Sequence, residues 1–311
     1  MGKVGGPADR QRWRLTRRGR LLVTVAAAVA VVAVIFRLES HTGTSAPGRT
    51  PHPSSVRVSP VRSASSAAVT WPVAGPVADL SVPLPGMPPV PDPANIYADA
   101  GAGMLSPAVR GVPYRIYVPD SGGSTVTVIN PATLKVTATY RTGLNPQHVV
   151  PGYDLRTLYV TNDLGNSLTP VNPRTGRPAG PNIAVDDPYN MYFTPDGRYA
   201  IVVAEARQNL DFRDPHTFAL RHRIHVNCAG VDHIDFAASG AYLIATCEFG
   251  GRLVRVDLHT LKVAGYLNLP GSAPQDIKLD PAGRIFYVAD KNHGGVWLVS
   301  AATFRLAGFI P

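Results

Sequence analysis

Two sets of polar residues recur at matched intervals. His148, Asn190, His233 and Asp276 lie 42, 43 and 43 residues apart, and Asp163, Glu205, Glu248 and Asp290 lie 42, 43 and 42 apart, with Asp120 a further 43 upstream. Imidazole and carboxylate together suit a divalent ion such as Zn, Cu or Ni, so His148 and His233 are the candidate metal ligands. No local spacing such as HxxxH supports them, and a lone histidine in a strand is more often a hydrogen-bonded structural residue. Cys228 and Cys247 are the only cysteines. Three readings fit them: a disulfide, favoured by an even count in an exported chain, two buried thiols, or soft ligands joining His233. Nucleophilic catalysis finds little support, since there is no GxSxG elbow, HExxH helix or phosphate-binding loop followed by a helix.

The intervals come from an internal repeat. Tyr117, Tyr159, Ile201, Ile244 and Tyr287 sit in short apolar runs spaced 42, 42, 43 and 43 residues apart. Turn signals precede the later runs, as in Thr194-Pro195-Asp196-Gly197-Arg198 and Asp280-Pro281-Ala282-Gly283-Arg284. Each run is followed by a second alternating strand such as Leu253-Val254-Arg255-Val256-Asp257. Four short strands, A to D, in about 40–45 residues make one propeller blade. The expected fold is therefore an all-β propeller of four-stranded blades.

Tyr159-Val160-Thr161-Asn162, the Pro-Asp-Gly-Arg turn and the Asn130-Pro131-Ala132-Thr133 turn resemble the YVTN-type (YncE-like) repeat of bacterial seven-bladed β-propellers. The resemblance covers about residues 110 to 311. It implies the fold and says little of function, because propellers host unrelated activities. Full four-strand units begin near His148, Asn190, His233 and Asp276, after a first unit that lacks strand A. About five blades are thus present. The expectation is an incomplete seven-bladed ring, a truncated gene product; the alternative is a five-bladed ring to which residues 67–75 donate the missing strand.

Strand A of a propeller lines the central channel, and antiparallel pairing puts its start beside the end of strand B. Both polar sets should therefore ring one mouth of the channel, with Gln147, Tyr189, Asp232, Gln275, Arg207, Lys291 and His293 in the same loops. Converging polar groups from several blades are a ligand site by default. The plain alternative is that strand-end acids only satisfy backbone amides and are in register through repeat ancestry.

Charge and hydropathy organise the rest. The net charge is +9, but residues 1–40 hold eight Lys/Arg against two acids, while residues 101–311 hold nineteen against sixteen. The repeat region is near neutral, which sets nucleic acid aside as a partner. Leu21–Phe36 is an uncharged apolar run behind six arginines, too long for a typical signal core and short for a span. It reads as an uncleaved signal anchor over residues 21–37, behind a basic cytoplasmic tail (1–20). Residues 38–100 read as a Pro/Ser-rich disordered stalk and 101–311 as the propeller. The cationic flank keeps the amino terminus in the cytoplasm and places the propeller outside.

The expected function is a membrane-anchored extracytoplasmic module, partnered by the cytoplasmic membrane and by a protein, peptide, glycan or small-molecule ligand at its channel face. No cofactor is identified beyond a candidate divalent metal. The alternatives are a propeller enzyme, lactonase-like or another metal-dependent hydrolase, as the resemblance implies, and a metal- or copper-binding protein.

Overall fold

The structure is a computed structural model, and it describes Asp92 and residues 94–311. The signal anchor and most of the stalk, including residues 67–75, lie outside the described residues. Among those described, no helix is long and apolar enough to cross a membrane.

The described residues form twenty strands in five antiparallel sheets. The first sheet holds β1 (Ile116–Asp120), β2 (Thr125–Asn130) and β3 (Lys135–Arg141), and it begins at strand B as the repeat predicts. The second holds β4 (Pro146–Pro151), β5 (Leu158–Asn162) and β6 (Ser167–Asn172), with an outer strand split into β7 (Arg177–Pro178) and β8 (Ile183–Ala184). Pro178 and Pro181 explain the split, since proline cannot donate to a ladder. The third holds β9 (Pro188–Phe193), β10 (Ala200–Ala204), β11 (Asn209–Arg213) and β12 (Leu220–His225). The fourth holds β13 (Val231–Phe236), β14 (Tyr242–Cys247), β15 (Arg252–Asp257) and β16 (Lys262–Asn268). The fifth holds β17 (Pro274–Leu279), β18 (Ile285–Asp290), β19 (Gly295–Ser300) and β20 (Leu306–Ile310).

Apolar side chains at alternate positions hold these sheets face to face. Along β10, Ala200 and Val202 join the core shared with the second sheet, while Ile201 and Val203 join the core shared with the fourth. Four such cores separate the five sheets. The inner strands β4, β9, β13 and β17 pack side by side along the channel, with β1 beside β4. Among the described residues, β17 has no comparable packing against β1. The outward flanks there carry exposed Ile116 and Val136 on the first sheet and Tyr287 and Ile310 on the fifth.

A strap ahead of β1 lies on the face opposite the channel mouth, where the A–B and C–D turns emerge. The Ile96 N–H donates to Ala238 O at 2.8 Å, and the Tyr97 hydroxyl donates to Asp235 and accepts from the Phe236 N–H. The Arg115 guanidinium donates to Pro173 O and Arg174 O.

One irregularity matters for the site. The inner strands are bulged near their starts: the pairing shifts between Pro146 and Val149, between Val231 and Ile234, between Pro274 and Ile277, and past Tyr189 in β9. A bulge leaves backbone unpaired and re-aims side chains. Threonines on strand B take up the spare amides. Thr161 Oγ1 accepts from the His148 N–H at 3.0 Å, and Thr246 Oγ1 accepts from the His233 N–H at 3.1 Å. Thr246 is fully buried and also donates to Asp232. Thr246→Val keeps the shape and removes one acceptor from the His233 N–H and one donor from Asp232, which remain bonded to each other, so it should cost about 1 kcal/mol. Urea unfolding of the variant beside wild type measures this.

Candidate functional site

The bulges bring together rings from three blades. His148, Tyr189 and His233 form a triangle of edge-on contacts, with centroid separations of 5.1, 5.3 and 5.8 Å. His148 Nδ1 lies 2.8 Å from Tyr189 O. A carbonyl only accepts, so Nδ1 carries the proton and Nε2 keeps its lone pair. Burial, aided by the neighbouring His233, pushes the His148 pKa below its ordinary 6.5 against the pull of the Tyr189 carbonyl and nearby acids, so this imidazole is neutral at pH 7. Nδ1 of His233 is buried without a hydrogen-bond partner, 3.6 Å from Asp232 Oδ1.

Acids surround these rings, and most are satisfied. Asp163 accepts from Asn145 Nδ2 at 2.8 Å and Gln147 Nε2 at 3.0 Å. Glu248 accepts from Gln275 Nε2 and pairs with Lys291. Burial would raise the Asp290 carboxyl, but donation from the Ala273 N–H, Trp297 Nε1 and His293 holds it well below the usual range. Asp290 therefore organises its own loop. Asp232, fully buried, is pushed up by burial despite bonds from Thr246 and the His233 N–H.

Glu205 is the exception. Among the described residues no group donates to its carboxyl or pairs with it. Burial first, then Asp232, Glu248, Asp163 and Asp187, push its pKa up to about 7. Burial and the same acids, Asp187 excepted, push up the Tyr189 phenol. The region is thus a pocket of negative potential with one carboxyl poised at neutral pH.

The other expected residues part company. His148 and His233 meet. Asn190 turns into the wall, its Oδ1 accepting from the Met191 N–H and its Nδ2 donating to the Tyr192 hydroxyl, which accepts in turn from the Ile234 N–H. Asp276 is mostly exposed, 3.9 Å from Lys278. Cys228 and Cys247 are joined in a disulfide with Cα atoms 5.1 Å apart, which withdraws both sulfurs from a ligand role and ties the loop before β13 to the end of β14. Asp187 was not among the expected residues. It accepts from the Arg207 N–H at 3.0 Å and has positive φ, as do Asn145 and Gly230 at the equivalent point before their inner strands. Those positions lie 42 and 43 residues apart, so the repeat itself was the signal.

A carboxyl whose folded pKa exceeds its ordinary 4.5 binds protons more readily in the native state. Its ionisation therefore destabilises the fold progressively as the pH rises from about 4.5 to about 7. Glu205→Gln should raise the melting temperature at pH 8 and leave it nearly unchanged at pH 4.5, as thermal melts at the two pH values would show.

Two solved structures, a hydrazine synthase and a candidate lactonase, share this chain's fold. Hydrazine synthase from Kuenenia stuttgartiensis is 20% identical with a TM-score of 0.52, covering 60% of this chain and 59% of that one. A candidate 6-phosphogluconolactonase from Bacteroides fragilis NCTC 9343 is 16% identical with a TM-score of 0.54, covering 62% and 65%. Dihydro-heme d1 dehydrogenase NirN, 13% identical, reaches a TM-score of 0.46 over 67% of this chain and 56% of that one. The chain thus spans less than two thirds of each of these structures, and the first two, at identities this low, carry the fold alone. No curated protein matches the sequence. The YNCE-like beta-propeller profile matches residues 94–277, more than half of the chain. This chain belongs to the YNCE-like beta-propeller family.

Proposed function

We propose that the chain is a membrane-tethered, extracytoplasmic propeller that binds a positively charged group at its channel mouth. The observation that carries this is the unpartnered Glu205 carboxyl, pushed up to about 7 by its own burial and by the four acids around it. Neighbouring acids each have a donor, so the charge that Glu205 lacks is one a ligand can bring. A lysine or arginine side chain of a peptide, or a small amine, has the right sign. The five blades would belong to a ring of about seven, as the resemblance implies.

Residues 21–37 serve in this reading as the anchor and 38–100 as the stalk. The strap docks on the face opposite the mouth, through Ile96 and Tyr97.

The test is calorimetric titration with a lysine-rich and a glutamate-rich peptide at pH 5.5 and pH 8. Binding should be confined to the lysine-rich peptide, be tighter at pH 8, and weaken with salt as exposed charge pairs do. Glu205→Gln should weaken it about tenfold. Equal binding of both peptides, or none of either, would sink the reading.

One observation favours a hydrolytic alternative. A carboxyl that titrates near neutrality is suited to general-base work. If Glu205 is such a base, turnover of sugar lactones should rise with pH through about 7 and be abolished in Glu205→Gln. Absence of turnover across a lactone panel removes this alternative and leaves the binding reading standing.

A further inference from the structure

The imidazoles in the channel differ from His225 and His293 in what surrounds them. His293 donates to Asp290, and His225 is bonded to Asn209. His148 and His233 instead face one another from the second and fourth blades, their centroids 5.3 Å apart at 81°. His148 is held by the Tyr189 carbonyl at Nδ1, an arrangement that fixes a ring and presents Nε2 outward to a ligand. His233 has a buried nitrogen that nothing in the protein satisfies. Such an atom calls for an explanation, an ion being one.

Two imidazoles that share a tetrahedral ion at metal–nitrogen distances of about 2.0–2.1 Å have centroids about 5 Å apart. The observed spacing matches. Asp232 Oδ1 lies 3.6 Å from Nδ1 of His233 and adds a carboxylate's charge beside it.

We propose that His148 and His233 form a two-imidazole site for a borderline divalent cation, Zn2+ or Cu2+, within the channel. Among the described residues no three His, Cys, Asp or Glu side chains form a ready cage. The remaining coordination positions would therefore belong to water or to an incoming ligand, as in sites that keep an open position. The acids around the rings supply a field that draws the ion in, and imidazole nitrogen selects Zn2+ and Cu2+ over Mg2+ and Ca2+. The site shares that field with the binding reading above but rests on different side chains.

The experiment uses the full chain stripped with a chelator and titrated with Zn2+, Cu2+ and Mg2+ against a chromophoric competitor. One Zn2+ or Cu2+ per chain should bind, with Mg2+ absent. His148→Phe and His233→Phe, which keep the ring packing, should each weaken binding by more than about tenfold, the lower end of what loss of a supporting residue costs. His222→Ala should leave it unchanged. Should a Phe variant melt early, imidazole 15N shifts of the wild-type protein on adding Zn2+ decide the matter, since only His148 and His233 should move. No stoichiometric binding, full affinity in a folded double variant, or shifts confined to other histidines would each overturn the proposal. Lysine-peptide binding should survive both Phe variants, and metal binding should survive Glu205→Gln with a weaker affinity, so failure of either reading is visible without the other.

Discussion

A spare backbone N–H near the start of two inner strands is the constraint on which the channel mouth depends. Each inner strand gives up ladder pairing at the residues that look into the channel. A buried amide without an acceptor is costly. In the second and fourth blades a threonine hydroxyl from the neighbouring strand meets it, at Thr161 and Thr246. Thr161 Oγ1 also donates to Tyr189 O, the same carbonyl that holds the His148 ring, so one hydroxyl joins the bulge of one blade to the ring cluster of the next. The equivalent residues in the third and fifth blades are Val203 and Ala289, which cannot do this. The histidines stand in the two blades that have the hydroxyl.

The packing between blades is what makes such fine placement hold. No sheet here buries both faces alone, and each core draws from two neighbours. Phe212 and Phe286, both fully buried, sit in different cores, so rotation of one blade against the next would open a void in each. The rings that touch in the channel come from strands β4, β9 and β13, set by the cores between the second and third and between the third and fourth sheets. The disulfide adds a further restraint where the loop into β13 meets β14.

Much of this was legible because the repeat is carried by the backbone as well as by side chains. Positive φ recurs at Ser124, Asn166, Gln208, Gly251 and Gly294, always before strand C, whatever the residue. The spacing of 42 or 43 residues gave the order of strands and the number of sheets. It could not give direction. Asn190 is in register with His148 and His233, yet its amide is spent on Tyr192, whose hydroxyl reaches on to the next blade. That outcome depends on a residue two positions along and on an amide 44 positions along, neither of which a comparison of equivalent positions examines. Asp290 fails as a free ligand for a similar reason, because Trp297 and His293 surround it with donors.

The free acid follows from a substitution inside the repeat. Gln147, Tyr189, Asp232 and Gln275 occupy one equivalent position on successive inner strands. Gln147 donates to the acid of its own blade, Asp163, and Gln275 donates to the acid of the preceding blade, Glu248. Glu205 has neither neighbour. Its own blade offers Tyr189, which is committed to the ring cluster, and the following blade offers Asp232, which repels it. Two amide donors replaced by a phenol and a carboxylate leave one carboxyl unneutralised at the junction of the third and fourth blades. A glutamine at either position could have given Glu205 an amide donor, as Gln147 and Gln275 give Asp163 and Glu248. Breaking the symmetry at two adjacent positions costs the fold some stability, and it concentrates the negative potential of the channel where the two histidines meet.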